Sequence, residues 1–281
     1  MQQTVKAGGQ VWVLHTTNGV TRRKFTTDDE ANEQAERRQD ELFQALSIAG
    51  VRPSNVACLG FEDETALSNA SVVRKAVSQV AHRMQEIQPD RVITLAYEGG
   101  HPDHDVTNYI VARAAQQVGL DRSRLFEAPA YNRFFLSDPF FRRLNKILIV
   151  RFALPPRLPS GEPARFLRAS SEERKKKITM LSCFPSQDAS SLVKRFGYPD
   201  QLRTMPEYDY ASGPFDPMQS LRFRLERLLK GASAFPYFAP EFGQESYCRL
   251  FSEADAEYQD THSSGNRSPW IPQSADVASN K

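Results

Sequence analysis

Cysteine is scarce in this chain of 281 residues: Cys58, Cys183 and Cys248 are far apart, odd in number and never in a Cys-x-x-Cys pair. That pattern indicates neither a disulfide framework nor a zinc ribbon, and a reducing cytoplasm is the expected setting. Long apolar runs are missing as well. No stretch approaches the ~20 apolar residues that cross a bilayer, and the opening Met1-Gln2-Gln3-Thr4-Val5-Lys6 has no signal-peptide core. Neither sign of charge is in excess: 36 Lys+Arg against 34 Asp+Glu leave a net +2. No overall field therefore recruits nucleic acid or an anionic membrane, and any partner is recognised locally. A Gly-x-Ser-x-Gly elbow and a Walker-type phosphate loop are also absent, which removes two common hydrolase designs.

What is present is alternation of strand and helix patterns. Val11 to Leu14 is an apolar run of β-formers ending in the turn cluster Thr16-Thr17-Asn18-Gly19, which predicts a buried strand of the parallel kind. From Thr27 the spacing becomes helical. Thr27 and Glu30 form a capping box, Ala35, Leu42, Ala45, Leu46 and Ala49 share one face, and Gly50 stops the helix. A second strand is predicted over Val56–Leu59, then an amphipathic helix through Val72, Val73, Ala76, Val77, Val80, Ala81, Met84 and Ile87 that ends at Pro89. A third strand, Arg91–Ala96, leads into Gly99-Gly100-His101-Pro102-Asp103-His104 and a helix carrying Ile110, Val111, Ala114, Ala115 and Val118 inward.

The expected fold class is therefore α/β: a Rossmann-like parallel sheet with helices on both faces and right-handed crossovers. Ile147–Val150 and Arg165–Leu167, either side of a proline-rich loop, predict a C-terminal antiparallel hairpin. Ser170 with Glu173 caps a further helix through Met180-Leu181, and Ser191 to Phe196 suggests another. Residues 1–258 read as one domain and 259–281 as a polar, disordered tail.

Only five histidines exist, and His101 and His104 sit three apart with Asp103 between them beyond a strand. In open parallel sheets, ligands bind at the carboxyl ends of the strands. Histidine and carboxylate together can hold a divalent transition metal, and a zinc hydrolase needs three such ligands with one position open to water. The alternative is an ordinary strand-to-helix turn in which Asp103 or Asp105 caps the helix and the histidines are hydrogen-bonded at the surface.

Tyr97-Glu98-Gly99-Gly100-His101-Pro102-Asp103-His104, placed after its strand, resembles the second motif of the PIG-L/LmbE family of zinc-dependent N-deacetylases. Further pieces follow in that family's order. They are Thr17-Asn18-Gly19, Arg38-Gln39-Asp40-Glu41, Leu59-Gly60-Phe61-Glu62-Asp63, Glu127-Ala128-Pro129-Ala130-Tyr131, and Lys177 followed by Ser186-Gln187, so that the resemblance runs from about Lys6 to Tyr247. It implies that His104 binds Zn2+, that His101 stabilises the tetrahedral oxyanion, and that Asp103 orients a histidine. It also implies that Arg38 and Asp63 line the substrate side, although each taken alone reads equally well as a solvated residue. The substrate expected from the family is a small-molecule amino-sugar conjugate of the N-acetylglucosamine type, with no nucleic acid and no membrane span.

The family's first motif, an Ala-His-Pro-Asp-Asp-Glu box that supplies two more zinc ligands and the general base, is absent. Met1 aligns inside the helix that should follow it, so the first β-α unit is expected to be missing, whether through an upstream start or a real loss. His15 lies on the strand after that helix and reads as a core or edge histidine. The expectation is a zinc-dependent amide hydrolase in kind, its zinc site incomplete and this chain inactive, or alternatively a pseudoenzyme or remnant that at most binds a ligand or partner. A nucleic-acid reading from Arg174-Lys175-Lys176-Lys177 with Tyr208, Tyr210 and Phe215 ranks last, because a basic run on a capped helix is by default a solvated face.

Overall fold

The computed structural model describes residues 1–63, 69–97, 102–128, 165–187, 200–211 and 244–263. Its elements, in chain order, are α1 (Gln2–Lys6), β1 (Val13–Thr17), α2 (Asp28–Ile48), β2 (Val56–Phe61), α3 (Ala70–Ile87), β3 (Val92–Leu95) and α4 (Pro102–Gln117). There follow β4 (Leu125–Ala128), β5 (Arg165–Leu167), α5 (Ser171–Ser182), β6 (Asp200–Thr204) and α6 (Gln244–Ser263). The α/β succession expected from the periodicity is present.

Local chemistry sets the boundaries. At α2 the Thr27 hydroxyl accepts from Glu30 N at 3.2 Å while the Glu30 carboxylate accepts from Thr27 N at 3.3 Å, so two otherwise orphaned donors are satisfied reciprocally. Asp28, Asp29 and Glu30 crowd the first turn, where the helix dipole favours negative charge. Thr27→Ala is expected to destabilise the fold by about 1 kcal/mol, measured as a lower urea midpoint with an unchanged slope. The Ser170–Glu173 box opens α5 in the same way. The helix α3 starts at Asn69, whose side chain accepts from Ser71 N and Val72 N, and it ends one residue before Pro89 at Gln88, which takes a left-handed φ of 48°.

Parallel pairing joins β1 to β2 from Val13↔Val56 to Thr17↔Phe61, and β3 to β4 from Val92↔Leu125 to Leu95↔Ala128. Among the described residues the strands form two sheets, the parallel β1-β2 and β3-β4-β6-β5, in which β6 is antiparallel to both neighbours. The strand β1 begins later than its apolar run, at Val13, and continues through Thr17 because the ladder to β2 extends that far. The partner of β5 is β6, antiparallel with Leu167↔Asp200, whereas the expected hairpin partner Ile147–Val150 lies outside the described residues, as does Ser191–Phe196. The terminal helix α6 runs to Ser263, five residues into the stretch expected to be disordered.

Strand alternation sends neighbouring side chains to opposite layers. Leu14, Leu59 and Phe61 pack on the main core of α3, α4 and α6, while Val13 and Val56 pack against Leu46, Ala49 and Val51 beneath α2. Helices thus cover both faces of β1-β2, and the carboxyl ends of these strands are left to their loops.

Candidate functional site

The turn after β1 begins the site. Gly19 has φ +72°, and a Cβ placed there would lie 3.2 Å from both Cδ and Nη1 of Arg38, so the missing side chain is what lets Arg38 of α2 lie against the turn. Backbone bonds clip this turn to the loop after β2: Asn18 N donates to Phe61 O at 2.7 Å and Asp63 N donates to Val20 O at 3.0 Å. The Thr17 hydroxyl then donates to Asp63 Oδ1 at 3.0 Å. Arg38 and Asp63 are both half-buried. The Arg38 Nε is buried with no hydrogen-bond partner among the described residues. A dry guanidinium donor is costly unless something meets it.

Helix α4 joins the same strand ends. The hydroxyls of Thr16 and Thr107 are 3.1 Å apart, and His104, three residues before Thr107, shares its helix face. His104 is half-buried in the first turn of α4, between Asp103 and Asp105, which are both buried. The helix N-terminus stabilises carboxylates at these positions. Burial, then the negative charge of Asp105, then Tyr97 and Asp103, push the Tyr247 hydroxyl of α6 far above its ordinary value. Burial, and after it Asp105, does the same to Tyr97. His101 lies outside the described residues. His15 is exposed on β1, its Nδ1 2.7 Å from Thr17 O, in keeping with an edge histidine.

Zinc, the ion the resemblance implies, needs three protein ligands in a catalytic site. Among the described residues no three His, Cys, Asp or Glu side chains come together to hold a metal. The described residues therefore do not fit a complete zinc site.

Behind α4 lies a buried polar cluster. Glu127 of β4 is fully buried, and its carboxylate accepts from Arg203 Nε of β6 at 2.6 Å and from the Tyr208 hydroxyl at 2.8 and 2.9 Å. Asn108 of α4 donates to Glu127 Oε2 at 3.2 Å and to Leu95 O at 2.7 Å, and its Oδ1 accepts from the Tyr210 hydroxyl at 2.6 Å. Burial raises the Glu127 carboxyl above its ordinary value, against the opposing charge of Arg203 and the hydrogen bonds from Tyr208, Arg203 and Asn108. Tyr208 and Tyr210 are thus committed to this cluster and are not free to stack on bases. Phe215 lies outside the described residues.

Asn108, Arg203 and Tyr247 were not marked by sequence reasoning. Asn108 had one signal, an amide set among the inward apolar positions of α4. A single arginine in a short strand, or one tyrosine in an amphipathic helix, carries none.

Two pieces of the ordered pattern prove to be joined in space: Glu41, buried on α2, accepts from Ser186 N at 2.9 Å and from its hydroxyl at 2.6 Å. Residues 1–115 match the family model described as PIG-L, GlcNAc-PI de-N-acetylase. This part of the chain is PIG-L-like. The match takes in Arg38, Asp63, Asp103 and His104 and stops before Glu127 and Ser186. No curated protein matches the sequence.

Among solved structures, the chain is similar to the A40926 pseudoaglycone deacetylase, at 17% identity and a TM-score of 0.50 over 74% of this chain and 90% of that one. It is also similar to a triple mutant of a deacetylase of the teicoplanin biosynthetic pathway, at 18% identity and a TM-score of 0.51 over 72% of this chain and 87% of that one. At these identities the likeness establishes a shared α/β fold. No helix among the described residues is long and apolar enough to cross a membrane.

Proposed function

We propose that this protein is in kind an amide hydrolase of the PIG-L type, whose ligand is an N-acyl amino sugar such as an N-acetylglucosamine conjugate. The observation that carries the reading is the joining of the ends of β1 and β2 to α2 and α4. The Thr17–Asp63 and Thr16–Thr107 contacts, with Arg38 against Gly19, gather Arg38, Asp63 and the His104 face of α4 at the carboxyl ends of β1 and β2. The family match over residues 1–115 supports it, as does the fold shared with deacetylases.

In this reading Arg38 and Asp63 bind the sugar, a donor and an acceptor suited to its hydroxyls and acyl oxygen. His104 is the metal ligand. Asp103 orients a histidine, and His101 stabilises the oxyanion that forms on the amide carbonyl. Zinc, when bound by a full ligand set, brings the pKa of water toward ~7. Cys58, Cys183 and Cys248 form no disulfide among the described residues, in accord with the reducing, cytoplasmic setting expected from the sequence.

One observation favours a second reading, a protein that binds the amino sugar without cleaving it: the described residues bring no three metal-ligating side chains together. The two readings meet in one experiment, in which the chain is incubated with an N-acetylglucosamine conjugate, with and without added zinc, and free amine is measured. The expected outcome for this chain alone is binding without release. Zinc-dependent release that His104→Ala abolishes would overturn the expected inactivity and leave the hydrolase reading standing; release that survives His104→Ala with unchanged zinc content would remove His104 as ligand.

A further inference from the structure

Asn108 lies one turn beyond His104 on the same face of α4 and is fully buried. Asparagine is a poor helix former, and a buried amide is costly unless all its groups are paired. A leucine would suit the apolar company of Val106, Ile110 and Val111 better. Yet this amide uses both donors and its acceptor, and each partner belongs to a different element: Leu95 O at the end of β3, Glu127 of β4 and Tyr210 after β6. Glu127 is itself fixed from its far side by Arg203 and Tyr208, which settles which way the Asn108 amide faces. Packing alone would leave α4 free to slide or rotate slightly on the sheet. Directional bonds to a strand-end carbonyl fix both its height and its rotation.

We infer that Asn108, oriented by Glu127, is a positioning residue that sets where α4 presents the His104 imidazole at the strand ends. The inference rests on the reading of His104 as a site residue. The test records the ring cross-peaks of His104 in 15N-labelled protein without metal, assigned by their loss in His104→Ala. Asn108→Leu removes all three bonds. Asn108→Asp keeps the size but loses both donors, and Tyr210→Phe removes only the hydroxyl that holds Oδ1, so that it retains the packed core. Leu46→Ala, in the separate cluster beneath α2, serves as the control for lost stability.

Expected are displaced or broadened His104 ring signals in all three variants, with those of Leu46→Ala unmoved. Unmoved ring signals in the Asn108 and Tyr210 variants, or an equal displacement in Leu46→Ala, would overturn the inference. Should the amine-release assay remove His104 as ligand, that reading fails by itself, and the metal-free ring signals still decide the positioning role.

Discussion

Replacing Glu127 by alanine is expected to cost the fold about 3–5 kcal/mol, because it strands the Arg203 guanidinium without its counter-charge in a dry interior. Arg203 is 5% exposed and Glu127 0%, so water cannot repair the loss. The complementary Arg203→Met should cost a similar amount by leaving the carboxylate uncompensated. Removing both charges together, as Glu127→Met with Arg203→Met, is expected to cost much less than the sum of the single changes, since the desolvation penalty of the pair disappears with it. Urea unfolding of the four proteins measures this, and additive losses would show that the pair is not coupled.

The same carboxyl carries a pH dependence of known sign. Its pKa in the fold is raised, mainly by burial, so the folded chain holds that proton more tightly than the unfolded chain. Its titration therefore favours the fold most below the ordinary carboxylate value, and this contribution declines as pH rises through the raised one. The double variant should lack that component.

Phe251→Ala is expected to cost about 3–5 kcal/mol as well, here through an unfilled cavity. Phe251 of α6 stacks on Tyr109 of α4 with centroids 4.2 Å apart and planes at 17°, and meets Tyr210 and Tyr97 at 5.5 and 6.1 Å. It is the point at which the last helix is locked to the helix that carries His104. The nearby Arg113–Asp255 pair, with Arg113 Nε 2.8 Å from Asp255 Oδ1, leaves a third of each side chain exposed and should contribute under about 1 kcal/mol. Amide exchange in α6 is expected to quicken strongly in Phe251→Ala and only slightly in Asp255→Asn. Equal effects would assign the docking to the ion pair instead.

The two predictions rest on features of unequal legibility in the sequence. Both capping boxes were readable because the partners are three residues apart, and the α3 stripe because its spacing is local. The pairing of β5 with β6 was not, since an antiparallel partner 33 residues away leaves no periodic trace and the nearer run Ile147–Val150 was the obvious candidate. The division of the strands into two sheets was hidden for the same reason: periodicity identifies a strand, and its neighbours are chosen by the chain's path.

At the site, Asp103 and His104 stood out because rare residue types clustered in a few positions beyond a strand. The structure places them in the first turn of a helix, where Pro102 opens α4, rather than wholly in a loop. Arg38 and Asp63 entered through family resemblance alone, and the physical tie between them, the turn at Gly19 clipped to the loop after β2, joins segments more than 40 residues apart. Glu127 appeared as one letter of a familiar pattern, and its meaning came only with Arg203 from another strand. Buried ion pairs of this kind are invisible in one sequence because a charged residue is by default assigned to the surface.

The central claim is that Arg38, Asp63 and the first turns of α4 form a single ligand site at the strand ends. The most direct measurement is a calorimetric titration of an N-acetylglucosamine conjugate into the wild-type chain and into Arg38→Ala, Asp63→Ala and the exposed-helix control Lys175→Ala. Expected is one site whose affinity falls about three- to ten-fold in each of the first two variants, the worth of one hydrogen bond apiece, and is unchanged in the third. Equal affinity in all four proteins, or no saturable binding to any of them, would contradict it.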